Sequence, residues 1–278
     1  MSILFVNKPK GITSFDVCYK LRKVLNTKHI GHTGTLDPNA SGVMILCSDK
    51  DTKTIQFLKA DTKEYIGVCK LGIKTDTLDI DGKVLEQRKC SVNKDDLINT
   101  FKSFLGKSKQ KPPKYSAIRH NGKKLYELAR QNIEVEIKER DIEVFNLELI
   151  EFSDMEFSFK CKVSSGTYIR VLLEDILNKL GVIGTLSDLK RIKCGSVSLD
   201  ECELLDDILD GKYKFYNSYD LLKNIMNTYE IKDIKPIYDG KPIKLDIDSD
   251  IVLITNNNKA IAVYKKSGEV YTCIRGLF

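Results

Sequence analysis

The stretch Gly31-His32-Thr33-Gly34-Thr35-Leu36-Asp37-Pro38 decides how the rest of the chain is read. Glycines at 31 and 34 permit a tight, non-helical path. Pro38 keeps Asp37 extended or in a turn, outside any helix. One histidine and one carboxylate therefore sit on a shaped loop, a common place for chemistry. Taken alone, the stretch is equally a turn whose aspartate caps a neighbouring element, so the surrounding segments must decide.

Upstream, Ile3 to Val6 reads as a short buried strand, ended by Asn7-Lys8-Pro9-Lys10-Gly11. Ser14 is a suitable N-cap for a helix running to about Asn26, with Asp16 in its first turn. Downstream, Gly42 to Cys47 is strand-like, Thr52 to Lys59 is expected as a short helix, and Glu64 to Leu71 alternates as a strand. Tyr65, Gly67 and Cys69 share one face of it. Residues 75–82 superficially resemble a calcium loop, but Arg88 stands where the bidentate glutamate is required, so a polar hairpin-like excursion is expected. Asn93 caps a helix over 94–105 that Gly106 stops. The segment 107–116 cannot be helical, and 125–131 returns to helix. Strands are expected at 142–150 and 156–163. From 167 to 180, Ile169, Leu172, Leu173, Ile176 and Leu180 recur at firm helical spacing before Gly181. Short helices are expected at 207–209 and 219–226. Beyond 230, β-prone runs alternate with Asn- and Gly-rich turns. That is a β-rich appendage of about fifty residues, too small to be very stable without docking on the main body.

At 278 residues with 42% hydrophobic and 30% charged residues, the chain describes a soluble globular protein, one large domain plus a small one. No apolar run reaches the ~18 residues that a membrane span needs. Residues 1–6 lack the positive lead-in of a signal peptide, so a cytoplasmic protein is expected. None of the eight cysteines form a C-x-x-C pair and the three histidines lie apart from them, which gives a metal site little support. Reduced thiols in a cytosolic protein follow. Net charge is +6, yet between Lys102 and Arg140 eleven Lys or Arg oppose four Glu. A partner with regularly spaced phosphates accounts for that patch, as does a merely solvated lysine-rich surface.

Three residues are candidates for chemistry: Asp37 on its loop, Tyr65 on a strand, and Arg170 at the start of an apolar helix. A partly buried guanidinium needs an anion. An Asp beside Arg typically has its pKa lowered by about 1–3 pH units. Asp37 is already ionised at neutral pH, so the arginine's task is to hold the carboxylate; an unpaired buried partner costs about 3–5 kcal/mol. A positioned carboxylate serves as nucleophile or as acid/base. An internal ion pair without chemistry is the alternative.

Asn7 to Ser14, Gly31 to Pro38 with Ala40 and Gly42, Lys63-Glu64-Tyr65 with Leu71-Gly72, and Thr75-Asp76-Thr77 with Asp79 and Gly82 closely resemble the bacterial tRNA pseudouridine synthases of the TruB family. So do Pro113 with Tyr115-Ser116-Ala117, Gly122 to Tyr126, and Gly166-Thr167-Tyr168-Ile169-Arg170. Leu189-Lys190-Arg191 is similar to the family's Leu-Arg-Arg element, with Lys190 a mild departure. The resemblance runs in order from residue 3 to about 200.

The resemblance implies conversion of uridine to pseudouridine at position 55, in the TΨC loop of tRNA, without cofactor or metal. It implies Asp37 as catalytic aspartate, Arg170 as its partner, and Tyr65 as the tyrosine that stacks on the target base. Tyr168 and Leu189 match residues lining the uridine pocket, and His32 the residue that enters the RNA loop; Lys8 is placed with the substrate-binding set. Backbone phosphates are expected on Lys109, Lys111, Lys114, Arg119, Lys123, Lys124, Lys190 and Arg191, with 109–114 as the mobile section that closes over RNA. The implied fold is mixed α+β. A catalytic domain on a largely antiparallel sheet (1–229, with its basic RNA-binding insertion at about 102–140) precedes a small PUA-like β domain (230–278), with a purely structural appendage as the alternative. A monomer without membrane, obligatory protein partner or guide RNA is expected. Two alternatives stay open: a dyskerin-like enzyme that needs guide RNA and protein partners, and an RNA-binding or tRNA-folding protein in which Asp37 is only structural.

Overall fold

The computed structural model describes residues 2–131 and 133–278. Most of the chain is organised by one ten-stranded sheet. In chain order its strands are β1 (Ser2–Lys8), β2 (Ile30–His32), β3 (Ala40–Ser48), β4 (Thr62–Leu71) and β5 (Gly106–Gln110). Then come β6 (Arg140–Phe152), β7 (Glu156–Ser164), β8 (Gly184–Cys194), β9 (Val197–Ser198) and β10 (Glu203–Leu204). Their spatial order is β10-β1-β3-β8-β4-β7-β6-β5, with β2 added to β3 and β9 to β8. Two pairings, β1 with β10 and β3 with β8, are parallel. The others are antiparallel, as expected for this mixed α+β class.

Strands β1 and β3 are covered on both faces, which is why they read as continuous apolar runs. Leu4, Val6, Met44 and Leu46 pack against α1 (Ser14–Val24) through Val17, Cys18 and Leu21. Ile3, Phe5, Val43 and Ile45 face the opposite way, where Leu253, Val263 and Leu277 of the C-terminal segment dock. Under the other half of the sheet, Phe157, Phe159 and Cys161 meet α2 (Lys94–Ser103) and α3 (Ile169–Lys179) through Leu97, Phe101, Leu172, Leu173 and Ile176. Each such leucine, isoleucine or phenylalanine, fully buried, contributes about 1.5–3 kcal/mol. The periodic stripe of α3 is thus what pins its first turn, and Arg170 with it, against the sheet.

The C-terminal sheet comprises β11 (Asn227–Glu230), β12 (Ile251–Asn256), β13 (Lys259–Ser267) and β14 (Val270–Gly276) in that order. It has its own core of Val252, Ile254, Ala262, Tyr264 and Tyr271. The sheet begins at Asn227, ahead of the expected boundary at 230, because the backbone of the polar Asn227–Glu230 run pairs in parallel with 252–255.

Other local readings shift. Thr13, not Ser14, caps α1: Thr13 Oγ1 accepts from Asp16 N and the Asp16 carboxylate accepts from Thr13 N, a reciprocal capping box. The helix also stops at Val24. The expected helix over 52–59 is a 3-10 turn, Asp49–Thr54, followed by Ile55–Leu58. Residues 109–110, the start of the section expected to be mobile, lie in the edge strand β5, which pairs with β6. Exposed Lys107 and Lys109 suit an edge, where charge discourages further pairing. The two late helices are Leu205–Leu209 and Ser218–Leu222. All eight cysteines are free, and five are buried. Among the described residues no helix is long and apolar enough to cross a membrane.

Candidate active site

The parallel junction of β3 and β8 builds the site. Ala40 registers with Leu189 and Gly42 with Arg191, while on the other edge of β8 Arg191 registers with Tyr65. The loop after β2 runs straight into this junction, so Asp37 arrives beside Leu189 and Tyr65. Gly42 has φ +107°, and a Cβ there would lie 2.1 Å from the Arg191 carbonyl oxygen. Only glycine lets the two strands meet.

Several tethers fix the loop on both sides of Asp37. Leu36 N donates to Ser14 Oγ at 2.9 Å, and that hydroxyl donates back to Leu36 O at 3.0 Å. Ser14 is therefore a loop anchor instead of a helix cap. The Pro38 carbonyl accepts from Gly11 N at 3.0 Å and from Lys8 Nζ at 3.0 Å. Lys8 also donates to Pro9 O and Ala40 O, at 2.9 and 2.7 Å. Its side chain is sealed from solvent, and burial pulls its pKa down to about 8. The expectation that Lys8 touches substrate is thereby corrected: its ammonium is spent on backbone carbonyls.

Arg191 needs the same correction. Expected on an RNA phosphate, it is 0% exposed and donates through Nε to Val43 O (2.7 Å) and through Nη2 to Gly34 O (3.0 Å). Strand alternation turns Arg191 inward and leaves Lys190 exposed.

Arg170, 4% exposed, is the hub of the other side. Its Nε lies 3.0 Å from Asp37 Oδ2 and its Nη1 lies 3.4 Å from Asp79 Oδ2. Nη1 also donates to Thr77 O at 2.7 Å and Nη2 to Tyr115 O at 3.0 Å. Thr77 and Asp79 belong to the excursion between Ile73–Thr75 and Val84–Gln87. What reads in sequence as a polar hairpin is the wall that holds the guanidinium.

Asp37 is 40% exposed on its open side and enclosed on the others. Burial pushes its pKa above the usual carboxylate value; Arg170 and Lys8 oppose that rise, and Asp79 reinforces it. The net direction is opposite to the one that the ion pair alone predicts, because desolvation outweighs the guanidinium. With Arg170 at 3.0 Å and water on one side, the carboxylate remains the form that the site is built around.

Asp37, Lys63, Tyr65, Tyr168, Arg170 and Leu189 line one cavity of about 300 Å³, together with Leu36, Ser116, Ile118 and Ile169. That is large enough for a small ligand held on several faces. Burial raises the Tyr65 phenol pKa, with Arg191 pulling against it. It does the same to Tyr168, with the Ser116 hydroxyl opposing. Both phenols therefore stay protonated at neutral pH. The Tyr168 backbone is gripped by one amide: its N–H donates to Gln110 Oε1 at 2.8 Å, and Gln110 Nε2 donates to its carbonyl at 3.1 Å.

His32 is not among the residues that line the cavity. It ends β2 with Nδ1 buried and without a hydrogen-bond partner, and burial together with Arg191 lowers its pKa. Lys109, Lys111, Lys114, Arg119 and Lys123 are exposed, and Lys124 is half-buried against Tyr126. Sequence reading missed the parts played by Asp79, Gln110 and Lys63. Asp79 and Lys63 stand inside motifs that were noticed; Gln110 carried no local signal.

A family model described as "TruB family pseudouridylate synthase (N terminal domain)" matches residues 22–169. A Fusobacterium nucleatum protein called tRNA pseudouridine synthase B is 50% identical over 198 residues, covering 71% of this chain and 69% of that protein. Its namesake in Thermosipho melanesiensis is 35% identical over 279 residues, covering 95% and 91%. Among solved structures, one described as a Cbf5-Nop10-Gar1 complex has a chain that superposes with a TM-score of 0.73 at 23% identity, covering all of this chain and 85% of that one, a likeness of fold. The chain belongs to the TruB family of pseudouridylate synthases.

Proposed function

We propose that this enzyme isomerises uridine to pseudouridine at position 55, in the TΨC loop of tRNA, with Asp37 as its catalytic carboxylate. The observation that carries the reading is one carboxylate, held 3.0 Å from a buried arginine and facing a cavity with two protonated tyrosines. The substrate follows the names of the relatives.

The reaction breaks the N1–C1′ bond, turns the base, and joins C5 to C1′; the C5 proton leaves and N1 gains one. Substrate and product are isomers, so the residues have only to position, exchange a bond and move a proton. Asp37 acts on the nucleoside while Arg170, 3.0 Å away, holds its carboxylate in place. Reaching a cavity of this kind requires the uridine to be extruded from its loop, which costs a few kcal/mol. Stacking on Tyr65 offsets about 1–3 kcal/mol of that. Tyr168 and Leu189 complete the walls, and His32 faces the RNA loop outside the cavity. The exposed lysines and arginines of 102–140, with Lys190, meet backbone phosphates, giving affinity and salt dependence with little sequence choice. The protein acts in the cytoplasm as a monomer, without guide RNA or protein partner, and residues 230–278 add a PUA-like RNA contact.

Purified protein incubated with unmodified tRNA transcript is expected to form pseudouridine in the TΨC loop. No product from the protein alone would overturn the stand-alone enzyme in favour of a guide-dependent one. Asp37→Asn is expected to abolish product while tRNA binding is retained. Parallel loss of binding would recast the carboxylate as structural.

A further inference from the structure

Four cations surround the cavity and its loop, and they are not compensated alike. Arg170 is answered by Asp37 and Asp79, and Lys8 by three carbonyls with Asp37 nearby. Lys63 and Arg191 have no carboxylate within ion-pair reach among the described residues. The Lys63 ammonium has Ser165 Oγ at 3.5 Å, and the buried Arg191 guanidinium meets two backbone carbonyls and the neutral Tyr65 phenol. Both converge on Gly34: a Cβ at that glycine would lie 3.2 Å from Lys63 Nζ and 3.6 Å from Arg191 Nη1. Two like charges held together beside a bare backbone raise the energy of the free protein, and an anion arriving there relieves it. Arg191 is sealed, so it supplies field; Lys63 lines the cavity, so it supplies contact.

We infer that Lys63, seated against Gly34 and backed by Arg191, receives a phosphodiester flanking the uridine in the cavity. This rests on RNA being the substrate. The backbone phosphate is gripped on the Lys63 side while the base lies between Tyr65 and Asp37, so extrusion of the nucleotide is coupled to neutralisation of the two cations. Burial and Arg191 both weaken the hold of Lys63 on its proton, and a phosphate restores it.

The test uses the full-length protein and tRNA ligated from a synthetic fragment with a neutral methylphosphonate on either the 5′ or the 3′ side of the target uridine. Binding is measured from low to high salt for the wild type, Lys63→Met and Lys63→Arg, with thermal melts confirming that each folds. Lys63→Met is expected to lower the slope of log Kd against log salt by about one, while Lys63→Arg keeps it. One of the two methylphosphonates is expected to cost the wild type the same factor as Lys63→Met, and to cost Lys63→Met nothing more. An unchanged salt slope, or additive losses at both positions, overturns the assignment. If the wild type makes pseudouridine while that happens, only the Lys63 assignment falls. If it makes none, the proposed function falls as well.

Discussion

Arg170 and Arg191 sit beside the same cavity, 4% and 0% exposed, yet only Arg170 is given carboxylates. On the Arg170 side the charges close on themselves: Asp37 and Asp79 share one guanidinium, and the carbonyls of Thr77 and Tyr115 accept from its Nη1 and Nη2. On the Arg191 side, only uncharged groups answer the guanidinium, two backbone carbonyls and the Tyr65 phenol, and a second cation, Lys63, stands next to it. The first arrangement keeps a reactive group still. The second leaves a positive excess for something outside the protein to complete. A pseudouridylate synthase acting on a polyanion has use for both.

Removing each arginine separates the two sides. Arg170→Met leaves Asp37 and Asp79 without the cation that they share. It is expected to destabilise the fold by about 3 kcal/mol in denaturant titrations, at the low end for a broken buried pair because Asp37 can recover water. Pseudouridine formation should fall with it. Arg191→Met removes a charge that nothing compensates and relieves Lys63, while leaving the Val43 and Gly34 carbonyls unanswered. A smaller loss of about 1–2 kcal/mol is expected. If Arg191→Met proved the costlier, the division into a closed and an open side would be wrong.

The smallest expected effect is on pH dependence. Asp37 has its pKa raised in the folded protein, so on acidification it takes up its proton before an ordinary carboxylate with a pKa of 3.8 does. Activity that needs the anion is expected to fall at a pH above that value, read from single-turnover rates. The sign for stability is the reverse. Between the ordinary and the raised pKa the folded state binds more protons, so this group's contribution to stability falls as pH rises through that window. An acid limb below 3.8 would mean that Arg170 outweighs desolvation at Asp37.

Much of this was legible from residues alone. The stripe of Ile169, Leu172, Leu173 and Ile176 predicts α3, and α3 carries Arg170 to the cavity. The Asn93 cap and the alternation of β4 are equally local signals, and they hold. Cations were the weak point. In sequence, Lys8, Lys63, Lys190 and Arg191 are alike, and three of the four were read as touching RNA. Their fates depend on which way a strand faces and which carbonyls lie near, neither of which a one-dimensional pattern contains.

By itself, then, the sequence determined the longer helices and strands, the family, and the loop that delivers Asp37, because capping, periodicity and glycine placement act over a few residues. Tertiary structure decided which charges are answered. Ion pairs and desolvation depend on distances between segments far apart in the chain, such as the 3.0 Å from Arg170 to Asp37 or the close approach of Arg191 to Gly34.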